Sequence, residues 1–138
     1  MAHFCVLVVT ETPDGVADAL RPFHDDDRDE GPAQPHFVFI EDRHSDINPS
    51  NGRRGYWRNP QGKWDGWTTG GRFAGLIGGA DSAEAAYATA FFAGAPDRAR
   101  EVFALLVDGE WIEPPGNVAA HLAALPATRI VTVIDCHS

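Results

Sequence analysis

The sequence predicts an α+β domain: an antiparallel sheet with helices packed on one face, ferredoxin-like in order, carrying a long aromatic, glycine-rich insertion. Three observations carry that expectation. Apolar, β-branched runs stand near both ends of the chain, from His3 to Thr10 (HFCVLVVT) and from Thr128 to Cys136 (TRIVTVIDC), and such runs read as central strands. Periodicity then alternates along the chain as β-α-β-(loop)-α-β-β-α-β, which brings the first and last strands together as an antiparallel pair. Finally, 138 residues with 43% hydrophobic content are enough for one core, so residues 1–138 are expected to form a single domain.

The elements follow in order. After the first strand, Thr12-Pro13-Asp14 supplies an N-cap, a proline at the first helical position and an acid in the first turn. Val16, Ala19, Leu20 and Phe23 recur at helical spacing, predicting a helix over 13–24. Asp25 to Pro35 is acidic and proline-bearing and reads as a solvated loop. His36 to Glu41 (HFVFIE) reads as a second strand. Asp42 to Ala80 is irregular, with short strands expected around Gly55–Arg58 and Gly71–Leu76. Asp81-Ser82-Ala83-Glu84 has the form of a capping box before an alanine-rich helix reaching Ala93. Glu101–Val107, Asp108-Gly109 and Glu110–Ile112 form a hairpin pattern, because Asp-Gly suits a type I′ turn. Asn117 caps a short helix bearing Val118, His121, Leu122 and Leu125, and Pro126 ends it.

Charge and composition narrow the function classes. The net charge is −9 and the pI about 4.9. An acidic surface disfavours nucleic-acid phosphates and anionic membranes, both of which need Lys/Arg neutralisation, and it favours solubility or a basic protein partner. No apolar run approaches the roughly 20 residues that span a bilayer, and Met1-Ala2-His3-Phe4 lacks the basic start of a signal peptide. Only two cysteines occur, Cys5 and Cys136, too few for a disulfide scaffold. A cytoplasmic location is the expectation.

The first candidate site is the segment Tyr56–Gly75. Trp57, Trp64 and Trp67 offer flat faces for stacking on a base or sugar, with Tyr56 and Asn59 beside them. Lys63 and Arg72 offer cationic donors, and Arg72 is able to hold a phosphate or carboxylate in two-pronged fashion. Gly70-Gly71 lets backbone N–H groups approach an anion. Asp65 is the candidate base or orienting carboxylate, with Arg72 and Lys63 as its catalytic companions. A purely architectural role competes: tryptophans and an Asp65–Arg72 pair pinning a long loop, with Asn59-Pro60 and Gly70-Gly71 as turns.

The segment's pattern, Y-W-x-N-P-x-x-K-W-D-x-W/Y-x-x-G-G-R-W/F, resembles that of a family of uncharacterised small proteins from actinobacteria and their bacteriophages. The opening Met1-Ala2-His3-Phe4 and the close Val133-Ile134-Asp135-Cys136-His137 are similar too, whereas Asp25 to Gly52 is not covered. The chain departs from the pattern at Gly66 and Phe73, which are bulkier aromatics in the relatives. The resemblance implies no particular activity; by analogy it implies a small accessory protein that acts by binding.

The second candidate site lies where the chain ends meet. Antiparallel pairing brings His3 and Cys5 beside Asp135, Cys136 and His137, and alternation puts His3 with Cys5, and Asp135 with His137, on common faces. Imidazole, thiolate and carboxylate all ligate divalent metals such as Zn²⁺, so His3, Asp135 and His137 form a candidate metal set. Cys136 and His137 face opposite ways and do not make a nucleophile pair. The architectural alternative is polar strand ends and small core thiols. His36, Glu41, Asp42, His44 and Asp46 match no metal pattern, and no Walker A loop, Rossmann fingerprint or G-x-S-x-G elbow occurs.

Two functions follow. One is a ligand-binding protein or enzyme for a small anionic, planar, nucleotide-like molecule at Tyr56–Gly75. The other is a non-enzymatic, phage-type accessory protein that binds and modulates a protein partner.

Overall fold

Unbroken apolar stretches bury both faces of a strand, and the two terminal runs do so here. The computed structural model describes residues 2–25 and 36–138. Its elements, in chain order, are β1 (His3–Thr10), α1 (Val16–Leu20), β2 (Val38–Glu41), β3 (Gly55–Arg58), β4 (Gly66–Thr69), β5 (Ser82–Glu84), α2 (Ala85–Gly94), α3 (Pro96–Ala99), β6 (Val102–Val107), β7 (Glu110–Ile112), α4 (Val118–Ala123) and β8 (Ile130–His137). The acidic loop expected after Asp25 lies in residues 26–35, outside the described residues. Among the described residues no helix is long and apolar enough to cross a membrane.

Contacts divide the chain into two compact units: Met1–Leu20 with Gly66–Ser138, and Arg21–Asp65. The first unit holds the main sheet, in the order β4-β8-β1-β6-β7, with β5 also pairing β8. β1 and β8 pair antiparallel over their whole length, from His3 opposite His137 to Thr10 opposite Ile130. β1 and β6, however, run parallel, with Leu7 opposite Leu105. The expectation of a wholly antiparallel sheet is therefore corrected: the long connection through α2 is a crossover, and a crossover returns the chain in its original direction. A ferredoxin-like split βαβ unit leaves a strand between its parallel pair; here β1 and β6 are direct neighbours.

Alternation along β1 sorts the core into two sides. Cys5, Leu7 and Val9 pack with Leu105, Val131 and Val133 and with Ala85, Ala88, Phe92, Val118 and Leu122 of α2 and α4. Val6, Val8, Ala104, Leu106 and Ile134 are equally buried but outside that cluster, as are Val16 and Leu20 of α1, so the helices are not confined to one face. The Asp108-Gly109 turn has positive φ at both residues (50° and 83°), as type I′ requires. The Asn117 side chain accepts from the Ala120 amide at 3.0 Å and caps α4.

Three local expectations change. The helix predicted over 13–24 is a 3₁₀ turn at Pro13–Gly15, α1, and a second 3₁₀ turn at Arg21–Phe23. The Ser82–Glu84 capping box is instead β5, whose backbone pairs β8 with Ser82 opposite Thr132; Glu84 stands at the N-cap of α2 with no side-chain cap bond. The strand expected at Gly71–Leu76 is a 3₁₀ turn, Gly71–Phe73, because positive φ at Gly70 and Gly71 breaks the extended chain. β3 falls at Gly55–Arg58 as predicted.

The second unit, Arg21–Asp65, is built on the β2–β3 hairpin, in which Phe39 faces Trp57. Their rings meet edge to face at 5.4 Å. The loop between the strands is turned by its own side chains. Asp42 accepts from the His44 amide and the Ser45 hydroxyl, and the buried Asn48 accepts from Ser50.

Candidate functional site

The aromatic segment is shared between the two units, with Tyr56 to Asp65 in one and Gly66 to Gly75 in the other. In the first part Trp64, Asn59 and Trp57 each contact other residues of the same unit. Trp64 is buried and stacks on His24 with ring centroids 4.6 Å apart. Its carbonyl accepts from the Asp25 amide at 2.8 Å. Asn59 is buried and donates to the carbonyls of Pro22 (2.6 Å) and His24 (2.8 Å). Trp57 donates its indole N–H to Ser50 at 2.8 Å. Tyr56 is half-buried, and Lys63 and Asp65 have exposed side chains. In the second part Trp67 is half-buried in β4, opposite Cys136, and Arg72 is exposed.

Gly70 and Gly71 do hold anions at backbone distance, and both anions belong to the protein. The Asp81 carboxylate lies against Gly70 and accepts from the Gly75 amide at 2.7 Å. The Asp135 carboxylate lies against Gly71 so closely that an added Cβ would collide with it. One oxygen of Asp135 accepts from the Arg72 backbone amide at 3.0 Å. The other accepts from His3 Nδ1 at 2.8 Å. The sequence pointed to the Arg72 guanidinium; the atom that bonds the carboxylate is its backbone N–H.

The strand register brings the chain-end residues together as alternation predicts: His3 faces His137, and Cys5 faces Asp135. The His3 and His137 rings lie 5.6 Å apart, and Gly66 leaves room for the His137 ring. Among the described residues no group of three or more His, Cys, Asp or Glu side chains is arranged to hold a metal ion. The two Asp135 oxygens are instead bonded to an imidazole and an amide.

Electrostatics separates the roles of these groups. Burial pushes the Asp135 carboxyl upward. The Arg72 amide, the His3 hydrogen bond and the nearby His3 and Arg72 charges outweigh it, so the group sits below the usual carboxylate value and is ionised at neutral pH. An ionised carboxylate only accepts, so Nδ1 of His3 carries the proton. Nε2 is then the basic nitrogen, and among the described residues it makes no hydrogen bond to protein. Cys5 is pushed up to about 12 by burial and then by the charges of Glu101, Cys136 and Asp135. Cys136 is also pushed up to about 12, by burial and then Asp135. Neither thiol is a nucleophile at neutral pH.

His3 lines a cavity of about 560 Å³ with Phe4, Phe73, Arg100, Glu101 and Glu113. The size and the mixed apolar and charged lining suit a small ligand. Local structure explains its walls. The β1–β6 pairing slips between Cys5 and Val6, whose partners are Val102 and Ala104, leaving Phe103 as an extra residue. Such a bulge re-aims a side chain, and Phe103 projects half-exposed at 5.1 Å from the Phe4 ring. Phe73 comes from the turn that Gly70 and Gly71 make, and Pro114-Pro115 closes the opposite side. Sequence reasoning missed Phe73, Arg100, Glu101 and Glu113; each looks ordinary by itself, and only the sheet order joins them.

No family model matches the chain, and neither a curated protein nor a solved structure matches it.

Proposed function

We propose that the protein is a small-molecule-binding enzyme in which His3 transfers a proton to and from a ligand held in the cavity at the chain ends. The observation that carries this reading is the 2.8 Å bond between His3 Nδ1 and the buried, ionised Asp135 at the cavity wall. Fixing Nδ1–H in this way makes Nε2 the acceptor. Positioned acid–base groups of this kind accelerate reactions by roughly 10²–10⁴-fold. This moves the functional centre from the aromatic segment to the chain ends. The segment contributes through the Gly70–Gly71 turn, which delivers the Arg72 amide to Asp135.

The test is NMR on protein labelled with ¹⁵N and ¹³C in histidine and tryptophan, titrated with a panel of nucleotides, amines and carboxylates. Ligands that raise the melting temperature are expected to shift the His3 resonances first, and His3→Gln is expected to remove ligand turnover while leaving the fold intact. A ligand that shifts the indoles of Trp57 and Trp67 and leaves His3 unmoved would place function back in the aromatic segment.

A further inference from the structure

A second cavity of about 710 Å³ adjoins the His3 cavity and shares Arg100, Val102, Pro114 and Pro115 with it. Its other walls are the apolar or small residues Phe92, Ala93, Pro96, Ala99, Val118 and Ala119 at the ends of α2, α3 and α4, with Gly116 and Asn117 beside them. Among the described residues Arg100 is the one charged side chain lining it. Both hollows are lined mainly by apolar surface; the charged side chains gather at His3, and the chamber beyond the shared wall has an apolar lining apart from Arg100 and Asn117.

The charges in the His3 chamber are unevenly compensated. Arg100 bonds Asp97 at 3.0 Å, and Glu101 bonds Arg98 at 3.4 Å. Glu113 accepts a neutral N–H from Trp111 at 2.9 Å, and among the described residues no cation pairs with it. Arg100, Glu101 and Glu113 leave the lining with an excess of one negative charge, and the Asp135 carboxylate stands behind His3. An anionic head group would meet that excess, and a cationic one would pair with Glu113. A ligand that fills both chambers then has a positive head and an apolar body.

Resting on the assignment of the His3 cavity as the ligand site, we infer that the ligand is an amphipathic amine. Its ammonium head faces Glu113 beside His3, and its aliphatic or aromatic body occupies the chamber lined by Phe92, Ala93 and Val118. This sets aside the anionic, nucleotide-like ligand that the aromatic segment favoured.

The experiment compares straight-chain amines and carboxylates of four, six and eight carbons by calorimetry, with His3 chemical shifts as the second readout. Affinity is expected to rise with length, by up to roughly fourfold per methylene, and amines are expected to bind tighter than carboxylates of equal length. Glu113→Gln should abolish the preference for amines and keep the length dependence. Ala93→Trp, at an exposed helix position, should fill the apolar chamber and remove the length dependence while butylamine still binds. Carboxylates binding as well as amines, or affinity independent of length, would overturn the inference. If short ligands of either charge still move His3, the reading of His3 as the ligand-facing base stands while this one fails; if nothing moves His3, both fail.

Discussion

Replacing Asp135 by Asn tests the electrostatic core of the site, because it keeps the shape and removes only the charge. The wild-type carboxylate accepts two hydrogen bonds, from the Arg72 amide at 3.0 Å and His3 Nδ1 at 2.8 Å. The Arg72 amide is a fixed donor, so the Asn carbonyl must take that position. The NH₂ group then faces His3, and two donors cannot share one bond. Nδ1 must give up its proton and become the acceptor, which moves the proton to Nε2. Nε2 changes from base to donor with no change in fold. Two charge-assisted bonds become neutral ones, a loss of about 1 kcal/mol each, so Asp135→Asn should cost about 2 kcal/mol in urea unfolding. Asp135→Ala leaves both donors without an acceptor and should cost more, about 3–5 kcal/mol. Long-range ¹H–¹⁵N correlation spectra of the imidazole report the tautomer directly. Wild type is expected to show Nδ1–H and Asp135→Asn to show Nε2–H. An Nε2–H tautomer in the wild-type protein, or an unchanged one in the variant, would falsify the orientation argument.

Four further outcomes follow from the same geometry. Cys5 and Cys136 ionise only near pH 12 in the folded protein, so iodoacetamide at pH 8 should label neither until denaturant is added; mass spectrometry reads the result. A thiol pushed up in the folded protein contributes stability fully below its ordinary value of 9.0 and loses it as pH rises towards about 12, so urea midpoints should fall over that interval and Cys136→Ala should flatten the fall. Asp135 has the opposite sign. Its depressed value contributes stability above the ordinary carboxyl value of 3.8 that disappears as pH falls through the folded value, and Asp135→Asn should remove that part of the acid transition. Gly71→Ala forces a Cβ onto the Asp135 carboxylate at a φ of +52°; it should cost about 2–3 kcal/mol and disturb the His3 resonances, whereas Gly109→Ala, with open space around its Cβ, should cost about 1–2 kcal/mol and leave His3 unmoved.

Period and local chemistry made much of the fold legible. The terminal strands, the Asp108-Gly109 hairpin and the Asn117 cap depend on residues within a few positions of one another. The chain-end cluster was legible for a different reason: once two strands are taken to pair antiparallel, alternation fixes which side chains share a face, so His3 and Asp135 meet. The parallel β1–β6 pair was not legible, because its direction depends on where the intervening chain crosses the sheet. Nor was the cavity. Phe73, Arg100 and Glu113 lie on three separate connections, and no local pattern links them. The aromatic segment's signals find partners inside the protein. Tryptophans and a Gly-Gly pair do signal stacking and close approach to an anion, but the stacking partner of Trp64 is His24 and the anion at Gly71 is Asp135.

That last correspondence bears on why Asp135 is where it is. A carboxylate taken out of water costs more than its partners return in many proteins, and a buried ion pair is poor evidence of stabilisation. Here the molecule also accepts left-handed backbone at two successive residues, Gly70 and Gly71, in order to bring one amide to that carboxylate. An apolar residue opposite Cys5 would fill the same space, as Val133 does opposite Leu7 on the same strand pair. What the apolar residue would not do is fix the proton on Nδ1 of His3 and leave Nε2 as the acceptor nitrogen. The local cost and the retained charge are both accounted for when the carboxylate serves the imidazole. Neither is accounted for by packing, which the neighbouring valines and leucines already supply. Asp135→Leu leaves the Arg72 amide and His3 Nδ1 without an acceptor, as Ala does, so it should destabilise the fold despite filling the space and should abolish the ligand response at His3 where the variant stays folded.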